Sequence, residues 1–178
     1  MTKVLFLDID GVVLPGRAYM LPNQSKGVVT VFDPCAVSMV NKACEKQDRK
    51  IVLHTSWIRT GFWQIGVDGP GDVHEHCIAQ GINPNLFHED AYCNRDIHWR
   101  YDRVAEWLAR HPEVDDFFIV DDEPDPDDRF VGHLINTDFD EGITMENFRR
   151  MLDGTGKRWR ETGHSVGTET KIGAEDAV

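Results

Sequence analysis

Apolar residues along this chain gather in short runs that stop abruptly at polar side chains. Val4 to Leu7 ends at Asp8 and Asp10 with Gly11 behind them, Ile51 to Leu53 leads through His54 to Thr55 and Ser56, and Phe117 to Val120 ends at Asp121 and Asp122. Short runs bounded in this way predict strands buried on both faces, as in a parallel sheet. A weaker run, His133 to Asn136, predicts an edge strand, and Leu86-Phe87 marks the place of a fifth. Helical patterns lie between them. Asp33-Pro34 reads as an N-cap followed by Pro at the first helical position, after which Val37, Val40 and Cys44 share one face. Tyr101 to Arg110 places Val104, Trp107 and Leu108 at helical spacing and stops before Pro112, and Thr144 caps a last helix with Phe148, Met151 and Leu152 inward. Strand and helix in alternation predict an α/β fold: one Rossmann-like domain, with a parallel sheet of about five strands and helices on both faces.

Other segments carry weaker patterns. Residues 15–31 hold Pro, Gly and polar residues around a short Val28 to Phe32 stretch of strand character, too little for a second domain, and the Gly-rich residues 60–72 read as a loop over the sheet. From Asp153 onward Gly, Thr and charged residues replace the apolar periodicity, which predicts a domain over residues 1–152 and a flexible tail over 153–178.

Composition narrows the class. The 178 residues, 40% hydrophobic and 28% charged, suit one ordinary globular domain. No segment approaches the roughly 18 apolar residues of a membrane span, so the expected location is the cytoplasm. The four cysteines include no Cys-x-x-Cys pair, which leaves reduced thiols as the expectation. His74, His76, Cys77, His88, Cys93 and His98 lack the tight spacing of a zinc site and read as scattered residues. A formal net charge of -12 argues against broad electrostatic binding of nucleic acid, and Lys157 to Arg160 in the tail reads as a solvated charge cluster.

In an open parallel sheet, ligands bind at the carboxyl ends of the strands. Polar groups end three of the apolar runs here. The Asp-x-Asp spacing of Asp8 and Asp10 points both side chains to the same side of an extended segment. Two such carboxylates repel at neutral pH unless a cation or strong donors intervene, and a hard divalent ion with oxygen ligands, Mg2+ above all where a phosphate completes the shell, is the natural remedy.

Phe6 to Val13, Ile51 to Thr55 and Phe118 to Asp122 closely resemble the first, second and fourth motifs of the haloacid dehalogenase (HAD) superfamily of phosphohydrolases. The resemblance spans roughly residues 3–152. Phe32 to Cys35, Thr55-Ser56-Trp57 and Asn136 to Asp138 before Gly142 to Thr144 are similar to the small branch found in RNA-repair proteins, with little or no cap domain. The resemblance implies that Asp8 attacks phosphorus to form an aspartyl-phosphate, and that Asp10 protonates the leaving oxygen and later activates water. It implies that Thr55, or Ser56 beside it, binds a phosphoryl oxygen. It further implies that Asp8, Asp121, Asp122 and the Asp10 carbonyl hold Mg2+.

The third motif departs from the family pattern. It is normally a Lys, and none lies between residues 51 and 156, while Arg100 and Arg103 stand in the helix before the Phe117 run. Arg100, four residues before Val104, has the spacing that the resemblance implies. The expected substrate is a phosphomonoester, and an open site favours a nucleotide or a nucleic-acid end. The missing Lys motivates a different reading, a catalytically silent phosphate-binding or scaffold module. A phosphoacceptor receiver domain fits less well, since its acceptor lies on the third strand and the candidate nucleophile here follows the first.

Overall fold

The computed structural model describes residues 2–20, 31–60, 70–125 and 128–153. Strand β1 (Thr2–Leu7) is followed by α1 (Pro34–Gln47), β2 (Arg49–Leu53), the short α2 (Trp57–Thr60), α3 (Pro70–Ala79), β3 (Phe87–Tyr92), α4 (Arg100–Arg110), β4 (Val114–Asp121), β5 (Leu134–Asn136) and α5 (Met145–Asp153). All pairings are parallel in one five-stranded sheet of order β3-β2-β1-β4-β5.

The chain crosses from β1 to β3 in one direction and then jumps back over β1 to β4. Crossovers of one hand therefore place α4, the helix of the returning crossover, on the face opposite α1 and α3. Helix α1 touches α5 and reaches the end of α3, where the Asn41 amide donates to the Gly81 carbonyl at 2.8 Å. Helix α4 covers the other face, with the Trp107 ring edge-on to Phe6 at 5.3 Å between centroids. The central strands are sealed between these layers: Val4, Phe6, Leu7, Ile51, Val52, Leu53, Phe117, Ile119 and Val120 are all fully buried.

Local signals set the helix ends. The Asp33 carboxylate caps α1 by accepting from the Cys35 amide at 2.7 Å, and Pro34 needs no partner in the first turn. Thr144 and Asn147 cap α5 reciprocally, the Thr144 amide donating to Asn147 Oδ1 at 2.9 Å and the Asn147 amide to Thr144 Oγ1 at 3.3 Å. That helix includes Asp153, one residue past the predicted boundary.

Two expectations about connections change. The predicted loop over 60–72 overlaps helix at both ends, α2 through Thr60 and α3 from Pro70, and 61–69 lie outside the described residues. Gly71 in the first turn of α3 concealed that helix, since Gly weakens helical patterning. Phe32 is not in a strand, and Val28 to Thr30 and the 154–178 tail lie outside the described residues. No helix among the described residues is long and apolar enough to cross a membrane.

Candidate active site

Leu7 pairs with Leu53 on one side and with Val120 on the other. The next residue on each strand is Asp8, His54 or Asp121, so these three form one line across the carboxyl edge of the sheet. The line falls where β1 and β4 meet and the chain departs in opposite directions, the crevice in which open α/β sheets bind ligands.

A tight turn follows Asp8. The Ile9 carbonyl accepts from the amides of Val12, Val13 and Leu14 at 3.2, 3.1 and 2.9 Å, and the Gly11 amide donates to the Leu14 carbonyl at 2.9 Å. Gly11 is required twice over: its φ is +64°, and a Cβ there would lie 2.5 Å from Asp122 Cγ. The missing side chain is the space that Asp122 occupies. The segment after β5 clamps the turn from outside, through Thr137 Oγ1 to the Gly11 carbonyl at 2.7 Å, the Ile143 amide to the Val12 carbonyl at 3.1 Å, and the Gly16 amide to the Phe139 carbonyl at 2.7 Å.

Arg100 rises from the first turn of α4 into this line. Its Nη1 lies 2.5 Å from Asp8 Oδ2, 2.6 Å from Asp121 Oδ1 and 4.0 Å from Asp122 Oδ1, and its Nε lies 3.4 Å from Glu123 Oε2. Four carboxylates thus crowd one guanidinium. Burial, reinforced by the Asp8 charge, holds Asp121 well above the ordinary carboxylate range, and the same two causes raise Asp122. Arg103, the other candidate cation, turns elsewhere: it is buried and its Nη1 donates to the Thr55 carbonyl at 3.1 Å.

Asp10 has a different setting. Its Oδ2 accepts from the Trp57 indole N–H at 2.7 Å. Burial pushes its carboxyl up to about 6, with the Trp57 hydrogen bond pulling down and the Asp8 and Asp122 charges pushing further up. Thr55 is fully buried at the end of β2, where its Oγ1 accepts from the Trp57 amide at 3.4 Å, and Ser56 is partly exposed beside it. His54 Nε2 lies 3.6 Å from Asp121 Oδ2, and burial lowers this imidazole to about 3, so His54 is neutral.

Oxygen ligands from Asp8, Asp121 and Asp122 lie within 4.8 Å of one another. Asp121 Oδ2 is fully buried and accepts no hydrogen bond. An orphaned carboxylate oxygen in an all-oxygen set that carries more negative than positive charge fits a hard divalent cation such as Mg2+. The thiols and imidazoles weighed as a zinc site do not gather among the described residues. The other close group, His88, His111 and Glu113, is already engaged: His88 Nδ1 accepts from the Asp90 amide at 3.0 Å, and the His111 nitrogens face Asp90 Oδ2 at 3.0 Å and Glu113 Oε1 at 2.8 Å.

The structure therefore brings Asp8, Asp121, Asp122 and Arg100 into direct contact range, sets Asp10 beside them, and leaves Arg103 out. Sequence reasoning assigned no part to Trp57, His54, Glu123 or Thr137. His54 carried a local signal in its position at a strand end, and Trp57 and Thr137 lay in segments that resemble the RNA-repair branch, but none of these signals assigned a contact. The family model for the HAD domain in Swiss Army Knife RNA repair proteins matches residues 4–148. Comparison with curated proteins and with solved structures returns no match.

Proposed function

The chain belongs to the HAD domain family of Swiss Army Knife RNA repair proteins, and from that premise we propose that it is a Mg2+-dependent phosphomonoester hydrolase working through an aspartyl-phosphate on Asp8. The observation that carries this reading is the placement of one guanidinium group 2.5 and 2.6 Å from the Asp8 and Asp121 carboxylates. A cation there fills the place of the Lys that the sequence lacks, which weighs against a silent scaffold.

In the proposed reaction an Asp8 carboxylate oxygen attacks phosphorus and the ester P–O bond breaks. Asp10 gives its proton to the departing oxygen. Water then attacks the aspartyl-phosphate, Asp10 takes a proton from that water, and inorganic phosphate leaves with Asp8 restored. A carboxyl raised to about 6 is suited to both duties near neutral pH. Arg100 holds the Asp8 carboxylate in place and offers its remaining donors to the phosphoryl oxygens. Thr55 supplies a further hydroxyl at the end of β2. The side chains of Asp8, Asp121 and Asp122 with the Asp10 carbonyl would hold Mg2+, which supplies the positive charge that lets a phosphate dianion approach these carboxylates.

The substrate class we favour is a phosphorylated nucleic-acid end, supported by the family and by the shortness of the sequence between β1 and α1, which leaves little room for a cap. The test is turnover of a phosphate-ester panel that includes 3'- and 5'-phosphorylated oligonucleotides, with Mg2+ or with chelator. Phosphate release by the wild type that disappears in Asp8→Asn supports the mechanism. Release unaffected by that substitution refutes it, and preference for a small sugar phosphate refutes the substrate class.

A further inference from the structure

We infer that Trp57 is a positioning residue for the proposed general acid, fixing which oxygen of Asp10 faces the substrate. The inference rests on the phosphohydrolase reading above and adds to it a residue from a different strand end. The 2.7 Å bond from the Trp57 indole to Asp10 Oδ2 joins two segments 47 residues apart. An indole N–H donates and never accepts. Oδ2 is thereby committed as an acceptor, and a proton on its way to the leaving group resides on Oδ1.

The indole is itself held from several sides. Its backbone amide starts α2 on the Thr55 hydroxyl, at 3.4 Å. Phe32, buried just before α1, lies 6.3 Å from the Trp57 ring centroid at a tilt of 52°. His76 of α3 lies 6.1 Å from it at 47°, and Phe32 and His76 meet edge-to-face at 5.3 Å. Three separate segments thus orient one donor.

The test compares two esters whose leaving groups differ in their need for a proton. p-Nitrophenolate departs unassisted, whereas the alkoxide of β-glycerol phosphate requires protonation as it leaves. The parameter is kcat/KM, which for both esters ends at formation of the aspartyl-phosphate and so leaves out the water-activating duty of Asp10. In Trp57→Phe, kcat/KM for β-glycerol phosphate should fall by roughly tenfold to a hundredfold, the range for loss of a hydrogen bond that orients a general acid. For p-nitrophenyl phosphate it should stay within about threefold of wild type, since no proton transfer is at stake there. Trp57→His, which keeps a ring N–H and preserves the aromatic contacts, should recover part of the alkyl-ester loss. In an Asp10→Asn background Trp57→Phe should add no further selective loss.

Equal losses on the two esters in both Trp57 variants, or no loss on either, overturn the inference while the phosphohydrolase reading stands. A wild-type protein inert toward both esters removes the reading and the inference together, because no acid then remains to be positioned.

Discussion

Replacing Arg100 by Met removes the cation from between Asp8 and Asp121 while keeping much of the side chain's bulk. The ligand oxygens lie within 4.8 Å of one another, and at that separation two full charges repel by about 3.5 kcal/mol at an effective dielectric of roughly 20. For a chain of this size that corresponds to roughly 7–14 °C in Tm before any proton uptake. Proton uptake relieves part of the repulsion. Burial and the Asp8 charge already raise Asp121 well above the carboxylate range, and without Arg100 it rises further. A group whose folded pKa is raised contributes stability below that pKa and loses it as pH rises through it. The metal-free variant should therefore lose Tm relative to wild type increasingly as the pH is raised beyond the ordinary carboxylate range and through the raised Asp121 pKa. Binding of Mg2+ by the same oxygens should offset the loss and flatten the pH dependence. Scanning calorimetry of both proteins in chelator and in excess Mg2+ measures each quantity. Equal Mg2+ stabilisation of the two proteins, or a metal-free variant as stable as wild type across that rise in pH, would show that these carboxylates do not share one cation position.

Gly11→Ala should lower stability by about 1–3 kcal/mol in urea unfolding, from the left-handed backbone and the contact with Asp122, and should weaken Mg2+ binding in calorimetric titration because Asp122 must move. Unchanged Mg2+ affinity would remove Asp122 from the ligand set. Arg49 is fully buried and donates to both Asp116 oxygens at 2.9 Å, whereas the Asp116 side chain is 19% exposed. Asp116→Ala, which strands a buried guanidinium, should cost about 3–5 kcal/mol. Arg49→Met, which leaves a carboxylate within reach of water, should cost clearly less, and equal losses in urea melts would contradict this asymmetry.

The three central strands are legible in the sequence because strands covered on both faces need apolar residues at every position, so Val4 to Leu7, Ile51 to Leu53 and Phe117 to Val120 stand out as unbroken runs. Strand β3 is legible only at Phe87, since this edge strand carries His88 and Asp90 at half-buried positions and Glu89 at an exposed one, and so loses the run. Asp8 and Asp121 are legible for the same reason as the strands, each being the first polar group after a buried run, and Asp10 and Asp122 follow them within two residues.

Arg100 and Arg103 are harder to separate, because three residues on a helix keep both on nearly the same face. The difference between them is height. Arg100 starts α4 at the level of the strand ends and reaches Asp8, whereas Arg103 lies almost one turn further along and meets the Thr55 carbonyl. Trp57 carries no local signal for its bond to Asp10, which exists only because β1 and β2 are paired in register and end side by side. Reactive groups in this fold are thus encoded locally, at strand ends, while the groups that aim them are encoded in the strand order. On the proposed function, that division accounts for the departure from the usual Lys: any helix whose first turn rises beside β1 and β4 can deliver a cation to the same pair of carboxylates.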